Sequence, residues 1–194
     1  MGENFQAVVI GASAGGSAAL LQILPLLPQG FVCPVIIVQH LHPLQDSPAM
    51  LYRAQGCAIG LKEAEEKESV RAGMAYFAPP NYHLLIESDR TFSLSIDPRV
   101  NFARPAIDVL FETAADVYGV GLIGVVLSGA NRDGAKGLRY LKQRGGLAVV
   151  QDPKTAEVPY MPDAAIQEAQ PGYVLSPDAI GRLLVSLVCK RSDS

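Results

Sequence analysis

Nowhere in the 194 residues does an apolar run approach the 18 or so needed to cross a membrane. The opening Met1-Gly2-Glu3-Asn4-Phe5-Gln6 lacks the basic start of a secretory signal. Its sixth position is Gln6, where a myristoylated Gly2 favours Ser or Thr. Cysteine is scarce, and Cys33, Cys57 and Cys189 are odd in number and far apart. That excludes a disulfide framework and points to packed, reduced thiols in the cytoplasm. Charge is sparse as well: 18% of residues are charged and the formal net charge is −3, so a basic footprint for nucleic acid is missing. No internal repeat, low-complexity linker or second domain is visible, and residues 1–194 read as one domain. With 49% apolar residues the chain is not disordered. A domain of this size buries roughly 70% of its unfolded surface, enough for a full core.

Strand-like and helix-like runs alternate. Ala7–Ile10 is followed by helical spacing over Ala18–Leu27, and Val35–Val38 by Ser47–Gln55. The pattern resumes with a helix over Pro105–Tyr118, whose apolar residues Ile107, Leu110, Phe111, Ala114, Ala115 and Tyr118 share one face. Strand Leu122–Leu127, helix Gly134–Arg144, strand Leu147–Val150, helix Asp163–Ala169, strand Tyr173–Leu175 and a last helix from Asp178 complete it. These are βαβ units of an α/β fold with a mostly parallel sheet. Between the halves, Met74–Ala78, Tyr82–Glu87 and Phe92–Ile96 look extended, the last two joined as a hairpin at Ser88-Asp89-Arg90-Thr91. An antiparallel insert is therefore expected beside the sheet. The charged run Ala64-Glu65-Glu66-Lys67-Glu68 reads as a solvated surface rather than a docking site.

Gly11-Ala12-Ser13-Ala14-Gly15-Gly16 leaves the first strand and enters the first helix. Small neighbours permit a sharp strained turn that lifts a serine hydroxyl clear of the backbone, and the free amides of a helix start suit developing negative charge. The competing reading is a dinucleotide loop. Against it, Ser13 occupies the middle glycine, and Gln39-His40 stands where an acid should hold the ribose.

A nucleophilic Ser13 needs a base, and the chain has three histidines. His40 ends the second strand at the carboxyl edge, where open parallel sheets place ligands. His42 beside Pro43 reads as a loop residue, and His83 in the hairpin as structural. For the carboxylate that would orient the imidazole, Asp133 in Leu127-Ser128-Gly129-Ala130-Asn131-Arg132-Asp133-Gly134 lies on the same rim. Its competing role is a cap for the helix that follows.

These motifs resemble the CheB methylesterase domain over nearly the whole chain. The matching stretches are Val9-Ile10-Gly11-Ala12-Ser13-Ala14-Gly15-Gly16, Val38-Gln39-His40-Leu41, Ala78-Pro79-Pro80-Asn81, Arg104-Pro105-Ala106-Ile107-Asp108, Leu127-Ser128-Gly129 with Asp133-Gly134, Gln151-Asp152-Pro153, and Met161-Pro162. The resemblance implies a three-layer αβα fold, with a doubly wound, mostly parallel sheet and a small antiparallel hairpin extension. It implies hydrolysis of glutamate γ-methyl esters on chemoreceptors, with glutamine deamidation as a companion activity, and it puts the catalytic serine, histidine and aspartate on Ser13, His40 and Asp133. No cofactor or metal is implied. A methylated chemoreceptor or related signalling protein is the implied substrate, with no nucleic-acid partner and no membrane insertion.

The first strand begins at about Gln6, so the inhibitory receiver domain of the family's best-studied members is not expected, and either a separate regulatory protein or constitutive activity takes its place. Ala14 replaces the family's usual threonine, and Gly129-Ala130-Asn131-Arg132-Asp133-Gly134 its usual Gly-Met-Gly-x-Asp-Gly. The Ala14 amide is one candidate oxyanion donor, with another from the Gly129–Asp133 loop, which contains Ala130, or near His40. Arg104 either draws an acidic substrate segment or, with Asp108, belongs to the start of the Pro105 helix, where Asp108 complements the dipole. Met161-Pro162 is a helix start or a wall of the site, and Arg132 either blocks substrate or projects outward. Loss of turnover, leaving a binding module in a sensory complex, is the alternative function.

Overall fold

The computed structural model describes residues 5–40, 52 and 56–189. Seven parallel strands form its sheet: β1 (Ala7–Ala12), β2 (Val35–Gln39), β3 (Gly60–Glu63), β4 (Met74–Phe77), β7 (Leu122–Val126), β8 (Leu147–Gln151) and β9 (Tyr173–Leu175). Their spatial order is β3-β4-β2-β1-β7-β8-β9. β5 (His83–Ile86) and β6 (Phe92–Ser95) make a separate antiparallel hairpin, with His83 opposite Ser95 and Ile86 opposite Phe92.

The central strands are wholly buried along β1, β2 and β7. They read as continuous apolar runs because helices cover both faces, leaving no solvent side to demand alternation. One face packs α1 (Gly16–Ile23) and α5 (Pro177–Val188) against Val8, Ile10, Ile37 and Val125. The other packs α2 (Ile107–Tyr118), α3 (Ala135–Gln143) and α4 (Tyr160–Ala169) against Val9, Ile36, Val38 and Val126. All six apolar residues of the α2 stripe are buried, as their spacing requires.

The sequence reading differs from the fold in particular places. Met74–Phe77 is no part of an antiparallel insert: it pairs in parallel with β2, Ile36 opposite Tyr76. A short extended run shows its own periodicity and not its partner, so only the hairpin is antiparallel. β3, with Lys62 and Glu63 among its four residues, has too little apolar pattern to announce itself. α4 begins at Tyr160 instead of Asp163, with Pro162 tolerated in its first turn. Of the helix expected at Ser47–Gln55, only Tyr52 lies within the described residues, and it is helical and buried; His42 lies outside them. In the charged run, Glu65 and Glu68 accept from Lys62, at 2.8 and 3.0 Å, and the Glu66 carboxylate accepts the Leu94 amide at 2.7 Å.

The chain runs outward from β1 to β2 and later returns to β7 on the opposite side of β1. This reversal opens a crevice at the carboxyl ends of β1, β2 and β7.

Candidate active site

Three loops meet in that crevice. Ala12 at the end of β1 is in register with Gln39 at the end of β2, so Ser13 and His40 are the next residues along adjacent strands. The His40 amide donates to the Ala12 carbonyl at 2.9 Å, extending the ladder to the rim. The third loop, after β7, supplies Ser128 to Gly134.

The serine turn is held from several sides. The Ser13 amide donates to the Ser128 carbonyl at 2.9 Å, and the Gly16 amide to the Ser13 carbonyl at 2.8 Å. The Ser128 hydroxyl donates to the Ala14 carbonyl at 2.7 Å and accepts from the Val158 amide at 2.9 Å. The Ser128 amide donates to the side-chain oxygen of buried Gln151 at 2.9 Å. Gly15 has a left-handed φ of 75°, a conformation that costs L-residues energy and that this turn needs. The sequence reading missed Ser128 and Gln151 as supports. The available signal was a polar residue directly after one apolar strand and a polar residue closing another, both at the ligand-binding edge.

Gly129 allows the β7 loop to close on the Ser13 turn. A Cβ there would lie 2.5 Å from Met161 Cε and 2.9 Å from Ser13 Cβ. Met161, fully buried in the first turn of α4, is thus part of a helix start and packs against Gly129. Gly129→Ala is expected to shift the Ser13 side chain, a displacement that lowers kcat by about a hundredfold where the shifted group reacts. Its melting temperature should change far less. A loss of Tm with kcat preserved would contradict the placement.

Asp133 is fully buried, whereas the His40 side chain retains 14% exposure and so lies open to a substrate. His40 Nε2 is 3.0 Å from Asp133 Oδ2, though the carboxylate lies off the direction of an aligned hydrogen bond. His40 Nδ1 is 3.3 Å from Asn131 Nδ2. Among the described residues the Ser13 hydroxyl makes no hydrogen bond to His40; such bonds commonly tighten only with substrate bound.

Asp133 caps a helix, but not the one that follows it. Its Oδ2 accepts the Ile107 amide at 2.6 Å and its Oδ1 the Asp108 amide at 3.2 Å, the first two amides of α2. Asp108 returns the arrangement: its Oδ1 accepts the Gly134 and Gly137 amides at the start of α3, at 2.9 and 2.7 Å. The Asn101 carboxamide bridges the pair, 2.8 Å from Asp108 and 2.9 Å from Asp133. The two helix starts are therefore joined by exchanged carboxylates. Sequence spacing could not show this, because each cap comes from the start of the other helix or the loop before it. Asp108→Ala leaves α3 amides unpaired and is expected to cost about 1–3 kcal/mol. Thermal unfolding should show a Tm lowered by about 2–4 °C per kcal/mol.

Burial pushes the Asp133 carboxyl upward, but the contact with His40, the Ile107 amide and Asn101 together outweigh it and hold it below the usual carboxylate range. The Asp108 carboxyl is shifted the other way, by burial first and then by the charge of Asp133, against the pull of the Gly137 amide, Asn101 and the Gly134 amide. One site thus keeps Asp133 ionised beside a histidine while Asp108 serves structure.

Among the described residues the Ala14 and Ala130 amides donate no hydrogen bond. Both residues are exposed, so these donors remain available at the rim. Arg104 is engaged elsewhere: its Nη1 donates to the Ile96 and Asp97 carbonyls, at 2.7 and 3.1 Å. Arg132 projects outward, its guanidinium 3.7 Å from Glu168 near the far end of α4. Buried His83 takes the Ala106 amide on Nδ1 at 3.2 Å and meets the Pro98 carbonyl through Nε2 at 3.1 Å, leaving neither ring nitrogen for chemistry. Gln39 donates to Ser17 Oγ at 2.5 Å and accepts from the Tyr52 hydroxyl at 3.0 Å, so it ties β2 to α1. Among the described residues no group of three or more His, Cys, Asp or Glu could hold a metal. No described helix is long and apolar enough to cross a membrane.

Residues 8–184 match the family model described as CheB methylesterase. A putative protein-glutamate methylesterase/protein-glutamine glutaminase of Leptospira interrogans is 56% identical over 184 residues, 95% of each chain. A protein-glutamate methylesterase/protein-glutamine glutaminase of Pyrococcus horikoshii is 37% identical over 185 residues, 94% of this chain and 50% of that protein. The crystal structure of the Thermotoga maritima CheB methylesterase catalytic domain superposes with a TM-score of 0.90 at 36% identity, covering 95% of this chain and all of that one.

Proposed function

This chain belongs to the CheB methylesterase family and is a carboxylic ester hydrolase, and we propose that Ser13, His40 and Asp133 perform its hydrolysis of protein glutamate γ-methyl esters. The observation that carries the reading is the junction of three strand ends, which puts an ionised, buried Asp133 3.0 Å from His40 and places His40 beside the Ser13 turn.

Ser13 Oγ attacks the γ-carbonyl carbon as His40 removes its proton. The tetrahedral oxyanion is held by the free Ala14 amide, with the Ala130 amide as second donor; one such donor is worth roughly 3 kcal/mol of barrier. Collapse breaks the bond to the methoxy oxygen, and His40 returns the proton to the departing methanol. Water then enters by the same route and releases glutamate. With glutamine in place of the ester the leaving group is ammonia, so the same residues serve deamidation. The substrate is a methylated chemoreceptor, met in the cytoplasm, a compartment that suits the free thiols of Cys33, Cys57 and Cys189. Arg104, by fastening the 96–97 backbone to the start of α2, shapes the rim instead of neutralising substrate.

The test is methanol release from a methyl-esterified chemoreceptor, followed beside the same receptor carrying unesterified glutamates. Release at the uncatalysed rate by folded protein would refute the reading.

A further inference from the structure

Asn131 touches both members of the His40–Asp133 pair, and its contacts determine where the imidazole proton sits. Its Oδ1 accepts the Asp133 backbone amide at 3.0 Å. A backbone N–H can only donate, so the oxygen end of the carboxamide is identified by its partner. The other end, Nδ2, therefore presents N–H to His40 Nδ1 at 3.3 Å. A donor facing Nδ1 requires Nδ1 to be the unprotonated nitrogen, and the neutral ring then carries its proton on Nε2, 3.0 Å from Asp133 Oδ2.

We propose that Asn131 is a positioning residue that selects the Nε2–H tautomer of His40, placing the proton on the nitrogen next to Asp133 and keeping Nδ1 as the base for Ser13. This rests on the assignment of Ser13, His40 and Asp133 made above. Nδ1 has one lone pair, so Asn131 and the Ser13 hydroxyl take it in turn. When the Ser13 O–H bond breaks, Nδ1–H forms and Oγ bonds to the carbonyl carbon. The new Nδ1–H then faces the Asn131 N–H, donor against donor, and this opposition ends when the proton moves to the methoxy oxygen as its bond to carbon breaks. The carboxylates that bear on the ring are Asp133, in direct contact, and Asp108 on α2, linked to Asp133 through Asn101.

Long-range proton–nitrogen correlation spectra of the parent protein, with His40 assigned by a His40→Gln variant, are expected to show a protonated Nε2 and an unprotonated Nδ1. A protonated Nδ1 in the neutral ring overturns the proposal. Asn131→Asp keeps an oxygen for the Asp133 amide but turns the donor facing Nδ1 into an acceptor. It should protonate Nδ1 and move the acid limb of kcat/KM up by about one pH unit or more, a roughly tenfold loss below that limb. An unmoved limb with the parent tautomer, in a variant of parental Tm, also overturns it. Should that variant fail to fold, the parent spectrum decides alone. A Ser13→Ala protein with full turnover would sink the triad and leave the tautomer measurement untouched, so the two failures are distinguishable.

Discussion

Ser13→Ala is expected to lower kcat for methyl-ester hydrolysis roughly a million-fold, the scale of removing a serine nucleophile whose base then has nothing to activate. The residual rate comes from the amides that remain, since the Ala14 donor and substrate binding survive the change. The fold should not notice it. What holds the turn is backbone: the Ser13 amide on the Ser128 carbonyl and the Gly16 amide on the Ser13 carbonyl. Tm is expected within about 1 °C of the parent, inside the range of substitutions that remove no packing or buried bond. Two readouts decide the matter. Methanol release from methylated receptor should vanish, and a fluorophosphonate probe that labels the parent at Ser13 should label nothing in the variant. Parental turnover by Ser13→Ala would mean that another group is the nucleophile.

Asp133→Asn changes one atom and is expected to damage both chemistry and fold. Each carboxylate oxygen faces two donors: Oδ2 the Ile107 amide and His40, Oδ1 the Asp108 amide and Asn101. An amide group must put its NH2 against one of these pairs, whichever way it turns. Facing His40, it reverses the tautomer that leaves Nδ1 basic, and loss of tautomer control in a serine triad costs about 10,000-fold in kcat. Facing Asp108, it strands an α2 amide at about 1–3 kcal/mol, or about 2–4 °C of Tm per kcal/mol. Because the Asp133 carboxyl titrates below its unfolded value, its stabilisation is present above the ordinary carboxylate range and fades as pH falls through its own lowered value. The Tm gap between parent and variant should therefore narrow in acid. A gap that widens there would show that Asp133 is not held ionised by these contacts.

The amino-acid sequence by itself determined the alternation of strand and helix, the glycine-set Ser13 turn, and the placement of Ser13, His40 and Asp133 at the carboxyl ends of strands. These are local properties: apolar runs, the 3.6-residue stripe of α2, and turns that small residues alone permit. The family resemblance, carried by motifs quoted along the chain, was legible there too. Only the tertiary structure decided that Met74–Phe77 joins the main sheet in parallel, since pairing partners lie far away in sequence. It also decided that Asp133 and Asp108 cap each other's helices, that Ser128 and Gln151 brace the Ser13 turn, and that Asn131 faces His40. Each of those depends on where a donor from one loop meets an acceptor from another, and a hydrogen bond is specified by position and direction, which residue order alone does not contain.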